Sequence, residues 1–276
     1  MPRVTIVIVT FNTKAEVGAC LRSLAVHPPE APHDVIVVDN ASTDGTAEAI
    51  RAGWPKIRLI EPGRNLGFAA GNNLGIRSAA GEFVLLLNSD TIVPAGAVDA
   101  LVGGLAARPD CAAAGPRIVD AEGRPELSFG RMIGPFNEAR QKAIVRLQLR
   151  GFGPALRYVD RITRRAGHPD WVSGACLLVR RTEALAAGLL DERFFLYAED
   201  VDFCAALRAR GGRILFEPAA EIVHLRGASR RTRPVETERA YRRSQLAFYE
   251  KHQPRWVPCL RAYLRMRGRL PPDLPS

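Results

Sequence analysis

The chain has 276 residues, 47% of them hydrophobic, and a formal net charge of +10. This length and apolar content suit one large α/β domain or two small ones, and they exclude a chain that is disordered throughout. No uninterrupted apolar run reaches about 18 residues, so we expect no membrane-spanning helix. The first residues lead directly into a strand pattern, and we expect no signal peptide.

The cysteines are odd in number and scattered, and no two of them form a Cys-x-x-Cys pair. A disulfide framework needs paired cysteines, and a zinc cluster needs closely spaced ones. We therefore expect reduced thiols in a cytoplasmic protein, without a zinc site. The cysteines are Cys20, Cys111, Cys176, Cys204 and Cys259.

The positive charge is concentrated in two segments. Residues 226–269 hold 13 Lys or Arg against 3 Asp or Glu, and residues 131–167 hold 9 against 2. The rest of the chain is mildly acidic. Basic segments of this kind suit anionic partners such as phospholipid headgroups, lipid pyrophosphates or nucleic acid. The alternative is a solvated surface that keeps the protein soluble.

The first half of the chain alternates predicted strands and helices. The strands are apolar runs rich in Val, Ile and Leu, and Thr43 is a suitable N-cap for the second helix. This alternation, with polar strand ends, is typical of a nucleotide-binding doubly wound sheet. We predict strands at 4–10, 34–39, 57–60, 83–87 and 111–119, and helices at 14–25, 44–50 and 95–107 and after the glycine-rich stretch 64–76.

The second half departs from this pattern. Residues 131–167 predict one or two amphipathic helices that cover the carboxyl edge of the sheet. His224 ends the last predicted strand, where a histidine is more often packed or solvated than a ligand. We also predict a turn and strand at 171–180, a helix at 201–210, short strands at 213–216 and 221–224, and a helix near 236–252.

A run of five apolar residues, Phe83 to Leu87, predicts a strand buried on both faces. It ends abruptly in Asn88-Ser89-Asp90. A carboxylate at the carboxyl end of such a strand is placed to hold Mg²⁺ or Mn²⁺, which bridge to phosphate oxygens. The alternative is an ordinary turn stabilised by the Asp90 side chain.

Two further segments place carboxylates at the ends of predicted elements. Asp39 and Asp44 follow the second strand, whereas Glu199, Asp200 and Asp202 open a helix. The helix dipole favours their anionic form, and the alternative role of Asp200 or Asp202 is to cap that helix. A cation, phosphates and a free carboxylate base are together what is needed to displace a nucleoside diphosphate from an activated group.

Seven stretches together resemble the inverting GT-A glycosyltransferases of family 2, and among them the bacterial rhamnosyltransferase-like branch. Each stretch alone is a weak signal, but the seven occur in the family's order and span roughly residues 4–229. Beyond residue 229 the resemblance is thin. The stretches are Val9–Asn12 (VTFN), Val37–Thr46 (VVDNASTDGT), Asn65–Gly75 (NLGFAAGNNLG), Leu86–Asp90 (LLNSD), Trp171–Ala175 (WVSGA), Phe194–Asp202 (FFLYAEDVD) and His224–Ser229 (HLRGAS).

The resemblance implies a GT-A fold, which is a Rossmann-like, mostly parallel central sheet with helices on both faces. We assign the catalytic domain to residues 1–229, with the basic helical segment 131–167 as an insertion near the acceptor side. Residues 230–276 would then form a basic helical C-terminal extension.

The resemblance also implies a role for each residue that matches a family motif. Asp39 would accept a hydrogen bond from the imide N–H of a pyrimidine base, and Asp200 would be the general base that deprotonates the acceptor hydroxyl. Asp90 would bind Mg²⁺ or Mn²⁺ across the diphosphate, and His224 would complete this metal or phosphate site. The glycines after Asn65 would let the backbone approach the nucleotide. Thr10, Asn12, Asn65 and Ser89 would also bind the donor nucleotide, and Trp171, Gly174 and Glu199 would line the acceptor side.

One position departs from the family's pattern. The metal motif is commonly Asp-x-Asp, and here Asn88 stands in its first position. Asn-Ser-Asp is similar to variants in the rhamnosyltransferase branch. A single carboxylate is then left for the cation, so we expect metal binding to rely on the diphosphate.

The activity that the resemblance implies is sugar transfer with inversion from a nucleoside diphosphate donor. The preferred donor is dTDP-rhamnose, and UDP-galactofuranose, UDP-glucose and UDP-N-acetylglucosamine remain open. The acceptor would be a saccharide or a polyprenyl-pyrophosphate-linked saccharide in cell-surface polysaccharide assembly. Such a reaction places the protein in the cytoplasm, peripherally on the inner face of the plasma membrane.

Two other classes of protein share parts of this pattern. A sugar-nucleotide nucleotidyltransferase would carry a glycine-rich phosphate loop with a basic residue after the first strand, and Thr10–Lys14 lacks the glycines. A nucleic-acid-binding protein would explain the net charge, but acidic strand ends would repel phosphate in the absence of a metal. We therefore expect no nucleic acid partner.

The segment 255–269 interleaves aromatic and aliphatic residues with arginines. Helical spacing after Pro258 would put Leu260, Tyr263 and Leu264 on one side. This predicts a short helix that lies in the membrane interface, with its arginines toward anionic lipid. The alternative is a tail that packs against the body and buries its tryptophan and leucines.

Overall fold

The computed structural model describes residues 3–225 and 234–271, and an eight-stranded sheet forms its centre. The order is β3-β2-β1-β4-β9-β6-β10-β5; strands β1 to β4 are mutually parallel, as are β6 and β10, whereas β9 and β5 run antiparallel to their neighbours. A separate pair joins β7 to β8. The strands are β1 (Val4–Thr10), β2 (His33–Asp39), β3 (Arg58–Ile60), β4 (Phe83–Asn88), β5 (Thr91–Ile92), β6 (Cys111–Val119), β7 (Phe129–Gly130), β8 (Trp171–Val172), β9 (Cys176–Arg180) and β10 (Arg213–His224).

Helices cover both faces of the sheet, which confirms the predicted α/β class. Ile6 and Ile8 of β1 pack in the core under α1 and α4, and Val7 packs in the core under α3 and α8. The helices are α1 (Lys14–Val26), α2 (Thr46–Gly53), α3 (Gly67–Ser78), α4 (Ala97–Ala106), α5 (Pro135–Leu149), α6 (Gly153–Thr163), α7 (Arg181–Ala186), α8 (Glu199–Ala209), α9 (Pro234–His252) and α10 (Val257–Met266), with a 3-10 turn at Pro254–Trp256.

Strand β1 lies at the middle of the parallel part, and all seven of its residues are buried. Thr10 pairs with Asp39 of β2, and Val9 pairs with Asn88 of β4. Because the three strands run in the same direction, their carboxyl ends meet at one edge. The polar residues that follow them therefore lie together, as the apolar runs predicted.

Two glycines in the glycine-rich stretch 64–76 bring α3 onto β1. A Cβ atom on Gly71 would come within 2.9 Å of Val9 Cγ1, and one on Gly75 would collide with the Val7 side chain. These two glycines therefore allow close helix–strand packing, and the approach of the backbone to a nucleotide stays a prediction.

Helix α2 begins later than predicted, and Thr43 does not cap it. The helix starts at Thr46, preceded by Gly45 with a φ of 81°. Asp44 is the residue that accepts a hydrogen bond from the Thr46 backbone N–H, at 3.1 Å, and it also accepts one from Lys14 N–H at 3.0 Å. The Asp44 carboxylate therefore accepts hydrogen bonds from backbone N–H groups at the start of α1 and at the start of α2.

The two short strands predicted at 213–216 and 221–224 form one strand, β10. Both halves pair with β6, and the register shifts between Glu217 and Glu221. A bulge explains the polar interruption in the sequence.

The basic segment 131–167 forms two helices, α5 and α6, and the C-terminal helices α9 and α10 pack on the core. Leu260 and Leu264 are buried in the core cluster that contains α8, whereas Tyr263 is 45% exposed. The predicted lipid-facing side of α10 is therefore wrong for both leucines, because they are needed for packing on the body. The division of the chain at residue 229 stays a prediction.

Among the described residues, none of the helices is both long enough and apolar enough to cross a membrane. All five cysteines are free thiols, of which Cys259 is exposed and the other four are buried.

Candidate active site

A chain of hydroxyl groups joins the ends of β1 and β4. Thr10 Oγ1 lies 2.7 Å from Thr13 Oγ1, which lies 3.1 Å from Ser89 Oγ. Thr13 was not among the predicted site residues, but it links two residues that were, Thr10 and Ser89. The signal available was a second threonine three residues after the strand end.

Asp39 and Asn12 are joined through the loop after β2. Ser42 donates to Asp39 from its N–H at 3.2 Å and from its hydroxyl, and Ser42 Oγ accepts from Asn12 N–H at 2.8 Å. Asn12 has a φ of 51° and accepts at 2.7 Å from Thr43 N–H. Burial raises the pKa of Asp39 despite the Ser42 hydrogen bonds. Its carboxylate retains free lone pairs that can accept from a base.

The loop before α3 is held by its own side chains. Asn65 Oδ1 accepts from Gly67 N–H at 2.9 Å, and Asn40 Nδ2 donates to the Gly67 carbonyl at 3.0 Å. Gly67 has a φ of 84°, and a Cβ atom there would lie 2.6 Å from the Phe195 carbonyl oxygen. Asn65 therefore shapes a turn that lies beside the Asp39–Asn40 strand end.

The structure brings together Asp90 and His224, the two residues of the predicted metal site. Strand β5 pairs antiparallel with the end of β10, and His224 Nε2 is 3.2 Å from Asp90 Oδ1. His224 Nδ1 is 3.6 Å from Oε2 of Glu126, which was not among the predicted site residues. Burial alone would lower the pKa of His224, but hydrogen bonds with Asp90 and Glu126 raise it to about 9.

The oxygen atoms near Asp90 fit a cation that takes most of its ligands from a diphosphate and water rather than from the protein. Among residues 3–225 and 234–271, no three acidic, histidine or cysteine side chains are grouped as a metal centre. Asp90 supplies a carboxylate, and the buried Asn88 Oδ1 has no hydrogen-bond partner. Mg²⁺ and Mn²⁺ accept oxygen ligands from a diphosphate and water in such sites.

Asp200 is held by two backbone N–H groups. Gly174 N–H donates to Oδ2 and Val201 N–H to Oδ1, both at 2.8 Å. A Cβ atom on Gly174 would lie 3.1 Å from Asp200 Cβ, so a larger residue there would push against the Asp200 side chain. Burial raises the pKa of Asp200, although the two backbone donors oppose the rise. A carboxylate of higher pKa is a better proton acceptor.

Glu199 differs from its neighbour. It is 5% exposed, its Oε2 is buried without a hydrogen-bond partner, and it does not line the pocket that Asp200 lines. Burial and the adjacent Asp200 charge raise the pKa of Glu199 well above its usual range. Tyr197 and Ala198 precede it with φ values of 73° and 67°, a strained turn that sets the start of α8.

Asp202 does not cap α8, which is the alternative role that the sequence allows for it. It is buried in α8, and His252 Nε2 lies 2.6 Å and Lys251 Nζ 2.8 Å from its Oδ1. Asp202 therefore ties α8 to the end of α9 and does not line the pocket that Asp200 lines.

Asp200 faces a pocket of about 180 Å³ with aromatic walls. Its polar centre is Glu138 of α5, which accepts hydrogen bonds from Gln245 Nε2 and Tyr249 Oη, each at 2.6 Å. The sequence did not predict these residues, because they lie in the two basic segments where family motifs are sparse. Trp171, Tyr197, Tyr241, Phe248 and Tyr249 form the aromatic walls.

The pocket and the carboxyl end of β4 meet at one turn. Asn88 N–H, at the end of β4, donates to the Ala175 carbonyl at 2.9 Å. The preceding residue, Gly174, donates to Asp200. The turn at Gly174 and Ala175 therefore holds Asp200, the candidate base. The same turn contacts the end of β4, directly before Ser89 and Asp90.

The mostly parallel sheet and these strand ends fit the GT-A fold. Residues 5–161 match the family model described as Glycosyl transferase family 2, and the chain belongs to that family. It is similar to the N-acetylglucosaminyl-diphospho-decaprenol L-rhamnosyltransferase of Mycobacterium tuberculosis, with 32% identity over 283 residues that cover 94% of this chain and 88% of the relative. The resemblance to the rhamnosyltransferase-like branch is confirmed.

Two solved structures share the fold. The mannosyltransferase PcManGT from Pyrobaculum calidifontis, in complex with GDP-Man and Mn²⁺, has a TM-score of 0.61 and 21% identity, and the match covers 95% of this chain and 69% of that one. TarS 1–349 of S. aureus has a TM-score of 0.56 and 18% identity, with 88% and 65% covered. At these identities the likeness concerns the fold, and it confirms the predicted fold class.

Proposed function

We propose that this chain transfers a sugar, with inversion at the anomeric carbon, from a nucleoside diphosphate to a saccharide carried on a polyprenyl pyrophosphate. The preferred donor is dTDP-L-rhamnose. The observation that carries the proposal is Asp200, which lines an aromatic pocket and is held at the turn that meets the end of β4. The name of the M. tuberculosis relative supports the choice of donor and acceptor.

The donor nucleotide binds along the carboxyl ends of β1, β2 and β4. Asp39 accepts from the imide of the base, and Asn12 and Thr10 border it. Asn65 shapes the turn beside them. The Ser42 loop supports this assignment, because it holds Asp39 and Asn12 in one hydrogen-bonded unit.

Asp90 is the residue that would hold Mg²⁺ or Mn²⁺ at the diphosphate, next to Ser89 and His224. A cation bound there would offset the charge that grows on the leaving diphosphate. The Mn²⁺ in the PcManGT complex supports a divalent metal in this fold.

Asp200 takes the proton of the acceptor hydroxyl as the hydroxyl oxygen attacks the anomeric carbon from the side opposite the diphosphate. The new carbon–oxygen bond forms while the bond to the diphosphate breaks, so the configuration inverts and the nucleoside diphosphate leaves. The acceptor sugar lies against Trp171 and the other aromatic walls. The raised pKa of Asp200 supports its role as base.

We place the reaction at the cytoplasmic face of the membrane, where a protein bound to the membrane surface would reach a lipid-linked acceptor. Peripheral contact with anionic lipid would use the exposed apolar residues Phe136, Trp256 and Met266 rather than the buried leucines of α10.

The test is a transfer assay with the full chain, a pyrophosphate-linked N-acetylglucosamine acceptor and Mg²⁺ or Mn²⁺. The donors are dTDP-rhamnose, UDP-galactofuranose, UDP-glucose and UDP-N-acetylglucosamine, and NMR gives the anomeric configuration of the product. We expect a rhamnosylated product of inverted configuration. Transfer from a UDP-sugar alone would overturn the choice of donor, and a retained configuration or no transfer at all would overturn the mechanism.

A further inference from the structure

A second cavity, of about 270 Å³, lies between α5, α6 and β7. Its floor is apolar: the rings of Phe129 and Phe216 stack with centroids 4.0 Å apart, and Ile144 of α5 adjoins them. Asp200 does not line this cavity, and the proposed transfer reaction uses none of its residues.

The rim of this cavity is basic. Arg131, Arg140 and Arg165 line it, and no carboxylate does. Arg140 Nη2 donates to Tyr158 Oη at 3.1 Å, which holds its guanidinium at the rim. Within the part of the chain that the structure describes, none of the three arginines has a carboxylate partner, in contrast to Arg164, which pairs with Asp160. Three uncompensated guanidinium groups around one cavity favour a multiply charged anion.

The two cavities share a wall. On α5, Glu138 lines the pocket beside Asp200, whereas its neighbour Asn137 lines the second cavity. In the chain before α5, Ile133 lines the first and Arg131 the second. A ligand that occupies both cavities would therefore cross the start of α5.

We propose that the second cavity binds the pyrophosphate of the lipid-linked acceptor together with the first isoprene units of its chain. This inference rests on the proposed function, since it assigns a place to the lipid carrier of the same acceptor. The arginines bind the pyrophosphate oxygens, and Phe129, Phe216 and Ile144 contact the isoprenoid. The saccharide then extends into the aromatic pocket beside Asp200.

The residues that line the second cavity distinguish an isoprenoid pyrophosphate from inorganic pyrophosphate and from an uncharged isoprenoid. Guanidinium groups bind phosphate oxygens in pairs, so an inorganic pyrophosphate would use the rim alone. An uncharged isoprenoid would use the floor alone. A ligand that joins both groups gains both sets of contacts and should bind more tightly than either part.

Direct binding tests this without catalysis. Farnesyl pyrophosphate, inorganic pyrophosphate and farnesol are titrated into the full chain by calorimetry, and farnesyl pyrophosphate should bind most tightly. In the variant R131A/R140A/R165A its Kd should rise by about tenfold or more, since charge-assisted hydrogen bonds are lost. The matched control R146A/R157A/R161A removes the same charge from exposed positions outside the cavity and should bind like the wild type.

Three results would overturn the inference. They are equal Kd values in wild type and R131A/R140A/R165A, an equal loss in the control variant, and displacement of farnesyl pyrophosphate by phosphatidylglycerol vesicles at matched phosphate concentration. The last result would mean that the rim is a general lipid contact. Unchanged dTDP binding shows that each variant is folded.

Kinetics separate this inference from the proposed function. With the pyrophosphate-linked acceptor, R131A/R140A/R165A should raise KM by about tenfold with little change in kcat. With the same saccharide on a plain alkyl chain, KM should not change. An equal effect on both acceptors contradicts the inference alone, whereas no transfer by the wild type contradicts the proposed function and leaves the binding result standing.

Discussion

Asp200 owes its orientation to backbone N–H groups rather than to another side chain. An asparagine at this position keeps the shape, but its amide N–H₂ would face one of the two donors, Gly174 or Val201. One hydrogen bond would therefore be lost together with the proton acceptor.

We expect Asp200→Asn to lower kcat by about 10²–10⁴-fold, the usual effect of removing a positioned base. Donor binding should be nearly unchanged, because Asp200 contacts the pocket and not the strand ends. Single-turnover kinetics and calorimetry with dTDP measure the two quantities. Full turnover in this variant would show that Asp200 is not the base.

Asp90 is the carboxylate that the sequence leaves for a cation. Asp90→Ala should weaken the binding of a nucleoside diphosphate and remove its dependence on Mg²⁺ or Mn²⁺. Calorimetry with dTDP, in metal and in EDTA, gives both effects. Unchanged wild-type activity in excess EDTA would show that Asp90 has no metal to hold.

Glu199 makes the stability of the fold depend on pH. Its pKa in the folded state is raised well above the usual value by burial and by Asp200, so the folded protein binds this proton more tightly than the unfolded chain. The stability that it contributes is complete below the ordinary glutamate pKa and is lost as pH rises through the raised pKa, by up to about 1.4 kcal/mol per pH unit.

Glu199→Gln cannot ionise, and we expect it to remove this fall in the free energy of unfolding. Urea unfolding between about pH 4 and pH 8 measures the effect. Glu48→Gln, at a side chain that is 75% exposed, is the control and should follow the wild type. Parallel curves for wild type and Glu199→Gln would contradict the assignment.

At the scale of elements, α9 fixes the start of α8 through a charge cluster around the buried Asp202. Asp202 meets Lys251 and His252, and Lys251 also reaches Asp191 at 2.8 Å. Ser244 donates to the Leu196 carbonyl at 2.7 Å, in the turn before Asp200. Helix α9 therefore supports the segment that carries Asp200, the proposed base.

We expect Lys251→Ala/His252→Ala to destabilise the protein by about 3–5 kcal/mol, because it leaves Asp202 as an unpaired buried charge. Adding Asp202→Asn should restore a large part of this loss, since an amide is less costly to bury than a carboxylate. Urea unfolding compares the double and triple variants. If the triple variant is no more stable than the double, the charge cluster is not what holds α9.

The elements that the sequence predicted well are those with local signals. The apolar runs of β1, β2 and β4 and the polar residues after them identify the edge of the sheet where the candidate site lies, because strand direction alone brings their ends together. The pocket beside Asp200 was not predictable in the same way. Glu138 lies 103 residues before Tyr241 and 111 residues before Tyr249 in the chain, so no local pattern indicates that they meet. The side of α10 that meets the body was not predictable either. Helical spacing groups Leu260 with Leu264 but does not say whether protein or lipid covers them.

At the scale of the whole molecule, large exposed apolar side chains meet where α5 and α10 begin. Phe136 is 77% exposed and packs edge-on against Trp256, with ring centroids 5.9 Å apart. Tyr263 and Met266 follow Trp256 at helical spacing, and Met266 is 79% exposed. Exposed arginines flank them, as suits an anionic membrane surface.

We expect Phe136→Ser/Trp256→Ser/Met266→Ser to reduce co-sedimentation with phosphatidylglycerol liposomes. Each arginine near an anionic surface contributes roughly 1 kcal/mol, so binding should also weaken with salt. Val26→Ser/Leu185→Ser removes exposed apolar side chains elsewhere and is the control. Removing the tail would be a poorer test, because Leu260 and Leu264 belong to the core. Equal pelleting of all three proteins, or binding indifferent to lipid charge, would exclude this surface as the membrane contact.

The distribution of the thiols has a practical consequence. Burial raises the pKa of Cys20 and Cys204 to about 12 and also raises those of Cys111 and Cys176, so none of the four is readily available as a thiolate. Cys259 is exposed on α10, three residues after Trp256 and four before Tyr263. The wild-type chain thus carries a natural attachment point for one environment-sensitive dye, on the surface where contact with lipid is expected and with no cysteine to be replaced.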